Sequence, residues 1–162
     1  KNGELMDKSL LKLILLISAF LGIVFGILTA TPYIGEIAFW ILLCFAAVIE
    51  MLFLMKVRLL ELFTVNESAV IGGIIGFVSF MVFCIVYIPI VAILYKFFNY
   101  STNYGVSMIL GNANFGILLI LSVFMSVLSA TINAFMGFIT FYIKEFIKTL
   151  DKNEEKRRNI FK

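Results

Sequence analysis

The residues of this sequence that could do chemistry are concentrated in its last apolar segment, LSVFMSVLSATINAFMGFITF. On a helix at about 100° per residue, one face of this segment, here called the polar face, carries Ser122, Ser126, Ser129, Asn133 and Thr140, which lie with Gly137 within about 80° of arc. Hydroxyl and amide groups can bond across a helix interface, or they can line a path for water, an ion or a ligand. The sequence favours interhelical bonding and leaves the second interpretation open.

Glu50 is the second candidate, because a carboxyl group inside an apolar segment must be paired, neutral or in contact with water. It precedes Lys56 by about 9 Å along a helix. Lys12 lies near the start of the first apolar segment, and an antiparallel helix pair would bring its ammonium group towards Glu50. We therefore predict a Lys12–Glu50 ion pair, with a proton or cation site at Glu50 as the functional alternative.

The composition is that of a membrane protein. Of the 162 residues, 62% are hydrophobic and 14% are charged, against roughly 25% charged in a soluble domain. The chain has no histidine, the commonest general base and metal ligand. Cys44 and Cys84 lie in apolar runs, where small buried side chains are expected. The net charge of +3 comes from cations beside apolar segments, so it indicates membrane topology and gives no reason to expect a nucleic-acid partner.

Four apolar segments are long enough to cross a bilayer, which takes about 20 helical residues. The expected fold class is therefore all-α: an antiparallel bundle of four transmembrane helices within residues 1–150, followed by a charged, helical, cytoplasmic extension over 151–162. The spans are predicted at residues 10–30, 34–55, 69–95 and 114–143.

The positions of the cations predict the orientation of these spans. All of the 13 lysine and arginine residues except Lys96 lie at the amino end, in the connection between the second and third spans, or in the tail. Because cytoplasmic flanks collect Lys and Arg, both termini are expected to be cytoplasmic. The basic tail is also a candidate site for anionic lipid, and Glu154 and Arg158 are spaced to pair at i,i+4.

Small residues on three spans are spaced for close helix contact. In hydrocarbon, helices associate through close backbone approach and through polar bonds, because no hydrophobic drive operates between them. The first span has glycines at a four-residue interval, the third has a Gly-x-x-x-Gly, and the fourth has one beside the polar face. These predicted packing residues are Gly22, Gly26, Gly72, Gly76 and Gly137.

No motif in the sequence indicates catalysis. It has no phosphate-binding loop, no paired carboxylates at catalytic spacing and no serine with a histidine partner, so no enzyme, cofactor or metal is expected. The first functional hypothesis is a membrane subunit or scaffold that packs against other membrane proteins or copies of itself. The alternative is a small oligomeric channel or transporter with the polar face and Glu50 along its path.

Overall fold

The computed structural model describes residues 8–57, 64–98 and 115–160, with side chains of the last range described at 116–150, 152 and 153. Four helices make up this structure, and each is long and apolar enough to cross a membrane. The expectation of an all-α chain with four candidate spans is confirmed. The helices are α1 (Lys8–Thr29), α2 (Gly35–Lys56), α3 (Val65–Phe98) and α4 (Phe115–Ile160).

The turn between α1 and α2 is tight. Tyr33 has a positive φ of 68°, and the Ile34 N–H donates to the Pro32 carbonyl at 2.9 Å across it. A Cβ atom on Gly35 would collide with the Thr29 carbonyl. Glycine is therefore the residue that lets α2 begin against the last turn of α1.

A capping box begins α3. The backbone N–H of Thr64 donates to Glu67 Oε2 at 2.7 Å, and the Glu67 N–H donates to Thr64 Oγ1 at 3.4 Å. The Thr64 hydroxyl donates to the same carboxylate oxygen at 2.9 Å. These bonds satisfy two backbone donors that a helix start leaves without partners.

The helices form a bundle in which α2 and α3 each pack against all three of the others, while α1 and α4 lie on opposite sides of this pair. Consecutive helices run antiparallel: a tight turn joins α1 to α2, and Gly72 meets Asn133 while Gly76 meets Ser129 between α3 and α4. The neighbours α1 and α3 run parallel, since Gly22 meets Val82 and Gly26 meets Val86. Helices α2 and α4 are parallel as well, since Leu43 meets Asn133 and Met51 meets Gly137. The core follows the α2–α3 contact, where its fully buried side chains include Leu42, Met51, Leu54, Ile71, Ile75, Phe80 and Phe83.

The outward faces of the bundle carry large apolar side chains. On α4, Phe124 is 64% exposed and Phe135 is 62% exposed, and Leu128 lies on the same side. These side chains lie on the side of α4 opposite the polar face. Surfaces of this kind suit contact with hydrocarbon or with another apolar helix.

The helix of the fourth span continues without a break past the predicted end of that span at residue 143 and ends at Ile160. Lys148 and Lys152 are exposed along this extension. The predicted Glu154–Arg158 pair lies outside the described side chains.

Candidate functional site

Asn133 of α4 is fully buried and bonds directly to the backbone of α2. Its Oδ1 accepts a hydrogen bond from the Ala47 N–H at 2.7 Å, and its Nδ2 donates to the Leu43 carbonyl at 2.9 Å. Leu43 and Ala47 are four residues apart, so these two groups belong to the same i→i−4 rung of α2. The amide of Asn133 thus adds a donor and an acceptor across the helix interface at one point.

Ser129 lies one turn before Asn133 and supports its amide. The Nδ2 group of Asn133 also contacts the Ser129 carbonyl at 3.0 Å and the Ser129 hydroxyl at 3.2 Å. The Ser129 hydroxyl itself points to the Leu43 carbonyl at 3.5 Å. Because Ser129 is also fully buried, the polar groups at this crossing satisfy one another away from solvent.

Glycines of α3 pack on the other side of the same turn of α4. A Cβ atom on Gly76 would lie 2.6 Å from the Ser129 carbonyl oxygen, and one on Gly72 would collide with the Asn133 carbonyl. From α4, a Cβ atom on Gly137 would lie 2.6 Å from the Ser68 carbonyl oxygen. Backbone approach this close is open only to glycine, so α3 and α2 hold the Asn133 turn between them.

The two remaining predicted packing glycines lie where α1 crosses α3. Gly22 faces the Ser79 carbonyl, and a Cβ atom on Gly26 would lie 3.0 Å from the side chain of Val86. The structure therefore places all five predicted glycines at helix crossings, two between α1 and α3 and three between α3 and α4.

The other members of the polar face bond within their own helix. Ser122, Ser126 and Thr140 each donate to the carbonyl four residues earlier, at 2.8 Å in every case. Thr131, on the opposite side, donates to the Val127 carbonyl at 3.0 Å. Of the five predicted residues, then, Ser129 and Asn133 bond across to α2, while Ser126 and Thr140 use their hydroxyl donors locally. Ser122 donates locally as well, and its hydroxyl also lies against the thiol of Cys84 on α3.

Glu50 of α2 is 1% exposed and is bonded to α1. The Ser18 hydroxyl donates to its Oε2 at 2.8 Å. Its Oε1 is buried with no hydrogen-bond partner within the described part of the chain. A carboxyl group this deeply buried with a single donor is the least satisfied polar group of the site.

The structure gives Glu50 a hydroxyl partner where the sequence predicted the ammonium group of Lys12. Lys12 is exposed on α1. Ser18, which faces Glu50, is about 9 Å further along the helix and about 120° away around it. Ser18 was not predicted as a partner of Glu50. The available signal was its four-residue spacing to Gly22 and Gly26, which places it on the packed face of α1.

The first prediction concerns the glycine crossing. Gly72→Ala should lower the free energy of unfolding by about 2 kcal/mol, because the new methyl group meets the Asn133 backbone. Gly73→Ala is the matched control, since a Cβ atom there has ordinary contacts at 3.6 Å. It should be neutral or stabilising by up to about 1 kcal/mol through helix propensity. Unfolding in mixed micelles measures both, and equal effects would contradict the packing described.

The second prediction concerns the partner of Glu50. Ser18→Ala should destabilise the protein by about 1 to 3 kcal/mol, because it removes the hydroxyl that donates to a buried carboxyl group. In a double-mutant cycle, Ser18→Ala and Glu50→Leu should couple by more than about 0.5 kcal/mol. Lys12→Met should not couple with Glu50→Leu. A larger coupling energy with Glu50→Leu for Lys12→Met than for Ser18→Ala would contradict the Ser18 contact and favour the Lys12–Glu50 ion pair that the sequence predicted.

Chemically, this site offers hydroxyls, one amide and one carboxyl group, all held between helices. Within the residues whose structure is described, no group of three or more histidine, cysteine, aspartate or glutamate side chains could hold a metal ion. The amide and most of the hydroxyls are engaged in bonds that join or brace helices. No protein-family model, curated protein or solved structure matches this chain.

Proposed function

We propose that this chain is a non-enzymatic integral membrane subunit or scaffold that works by packing against other membrane proteins or further copies of itself. The observation that supports the proposal is that residues of the polar face are buried and hydrogen-bonded within the protein. Asn133 and Ser129 are 0% exposed and bond to the α2 backbone, and Ser126 is 0% exposed and bonds within α4. A path for water or ions needs such groups to face a cavity, whereas a packing role needs them paired, as they are here.

The extension of α4 supports a role in assembly. Between residue 143 and Ile160 it reaches about 25 Å beyond the predicted span. It carries exposed lysines, including Lys148 and Lys152. A rigid basic helix of this kind fits anionic headgroups or an acidic surface of a partner at the cytoplasmic face.

The proposed orientation, with both termini in the cytoplasm, follows from the distribution of Lys and Arg. The third prediction tests it. In a variant with Cys44 and Cys84 replaced by alanine, Asn103→Cys should react with an impermeant maleimide from outside intact cells. Arg157→Cys should react only after permeabilisation, because the cation-rich ends are retained in the cytoplasm. Labelling of both positions from the same side would contradict four crossings with cytoplasmic termini.

The fourth prediction separates a scaffold from a conducting protein. The purified chain in sealed vesicles should give no more ion flux than protein-free vesicles, and Glu50→Gln should leave that baseline unchanged. In native membranes, a photo-crosslinking side chain at the outward position Phe135 should capture one discrete partner or a second copy. The same group at Ser129, which is buried against α2, should capture none.

The alternative function, a small oligomeric channel or transporter, draws on Glu50. Intramembrane carboxyl groups often mark ion or proton pathways, and in the described structure its Oε1 is buried without a hydrogen-bond partner. Flux through wild-type protein that disappears in Glu50→Gln, with the unfolding free energy maintained, would favour this alternative over the scaffold.

A further inference from the structure

A pocket of about 230 Å³ lies between α2, α3 and α4, in the half of the bundle nearer the α1–α2 turn. It lies beyond the glycine contacts of α3 with α4. The glycines of α3 are followed by aromatic residues, and the α4 residues that line the pocket are mostly long and aliphatic. The bulky side chains of the lining are Phe80, Phe83 and Tyr87 on α3, with Leu118, Leu121 and Met125 on α4.

The aromatic wall of this pocket consists of Phe80, Phe83 and Tyr87 of α3, whose rings pack against one another. The rings of Phe83 and Tyr87 are stacked with centroids 5.1 Å apart and planes at 13°. Phe80 lies 5.1 Å from Phe83, and Phe39 of α2 meets Phe80 edge-on at 5.8 Å. Phe80 and Phe83 are at most 2% exposed. Rings held by one another in this way give the pocket a preformed shape.

The lining selects for an apolar occupant. Within the part of the chain that the structure describes, it contains no charged residue. The hydroxyl of Ser122, which lines the pocket, donates to the Leu118 carbonyl within α4, so its proton is already used. The nearest comparison is an apolar protein cavity of roughly 150 Å³, which stays dry and binds benzene. The larger pocket here has room for a hydrocarbon segment of several carbons.

The surroundings of the pocket identify the source of that segment. On the α4 side, Leu121 is 41% exposed, and Ser122 and Met125 are half-buried, so the lining reaches the outer surface of the bundle. That surface belongs to helices apolar enough to cross a bilayer. We propose that this pocket binds the hydrocarbon chain of a membrane lipid, held between the aromatic wall of α3 and the aliphatic face of α4.

The fifth prediction tests this site with the full chain in vesicles of phosphatidylcholine and phosphatidylglycerol. The probe is a phosphatidylcholine with a photoactivatable diazirine near the end of one acyl chain, and adducts are mapped by peptide mass spectrometry. Ser122→Phe should fill the pocket and reduce adducts on its lining by about fivefold or more. Val123→Phe, the matched control beside it on the outward face of α4, should leave them at the wild-type level.

Two measurements keep the test decisive if Ser122→Phe folds poorly. In wild-type protein, adducts on the pocket lining should saturate as the probe fraction rises, while adducts at outward Phe20 and Leu16 of α1 should rise in proportion. Adducts on the lining that rise in proportion to the probe fraction would overturn the proposal, because random contact with the surrounding lipid gives that dependence. Absence of adducts on the lining would also overturn it, since these vesicles contain only lipid and copies of this chain, and a second copy would then be the occupant.

Discussion

The side-chain amide of Asn133 joins α4 to the main chain of α2, and the backbone around it is the surface on which the glycines of α3 pack. One turn of one helix therefore sets the distance between three helices. The constraint is strict because polar bonds and close approach are what hold helices together in hydrocarbon. A side chain on Gly72 or Gly76, or an apolar residue at Asn133, would change all of these contacts at once.

Two kinds of interaction hold the four helices together: hydrogen bonds from polar side chains and close packing at small residues. Polar side chains join α2 to its neighbours: Ser18 on α1 bonds Glu50, and Asn133 on α4 bonds the α2 backbone. Small residues join α3 to its neighbours, through Gly22 at the α1 crossing and Gly72 at the α4 crossing. This division explains why α2 and α3 form the central pair, because each has a specific means of contact on both sides.

The packing changes character along the bundle. At the Asn133 level α3 and α4 touch backbone to backbone, and towards the α1–α2 turn the rings of Phe80, Phe83 and Tyr87 line the apolar pocket. The polar side chains that bond to the α2 backbone thus lie in the closely packed part, and the pocket is lined mainly by apolar side chains. Such a bundle is suited to binding apolar chains and apolar helices, which agrees with the proposed role in assembly.

The sequence alone determined that the chain forms four long apolar helices, and periodicity identified the polar face and the packing glycines. This follows from local physics, because span length and small-residue spacing are properties of one helix. Only the tertiary structure decided the partners. Lys12 and Ser18 lie on the same helix, and the rotation of α1 about its axis is what turns Ser18, rather than Lys12, towards Glu50. The order of helices around the bundle likewise brings Asn133 to α2, and the pocket arises where bulky residues of different helices meet.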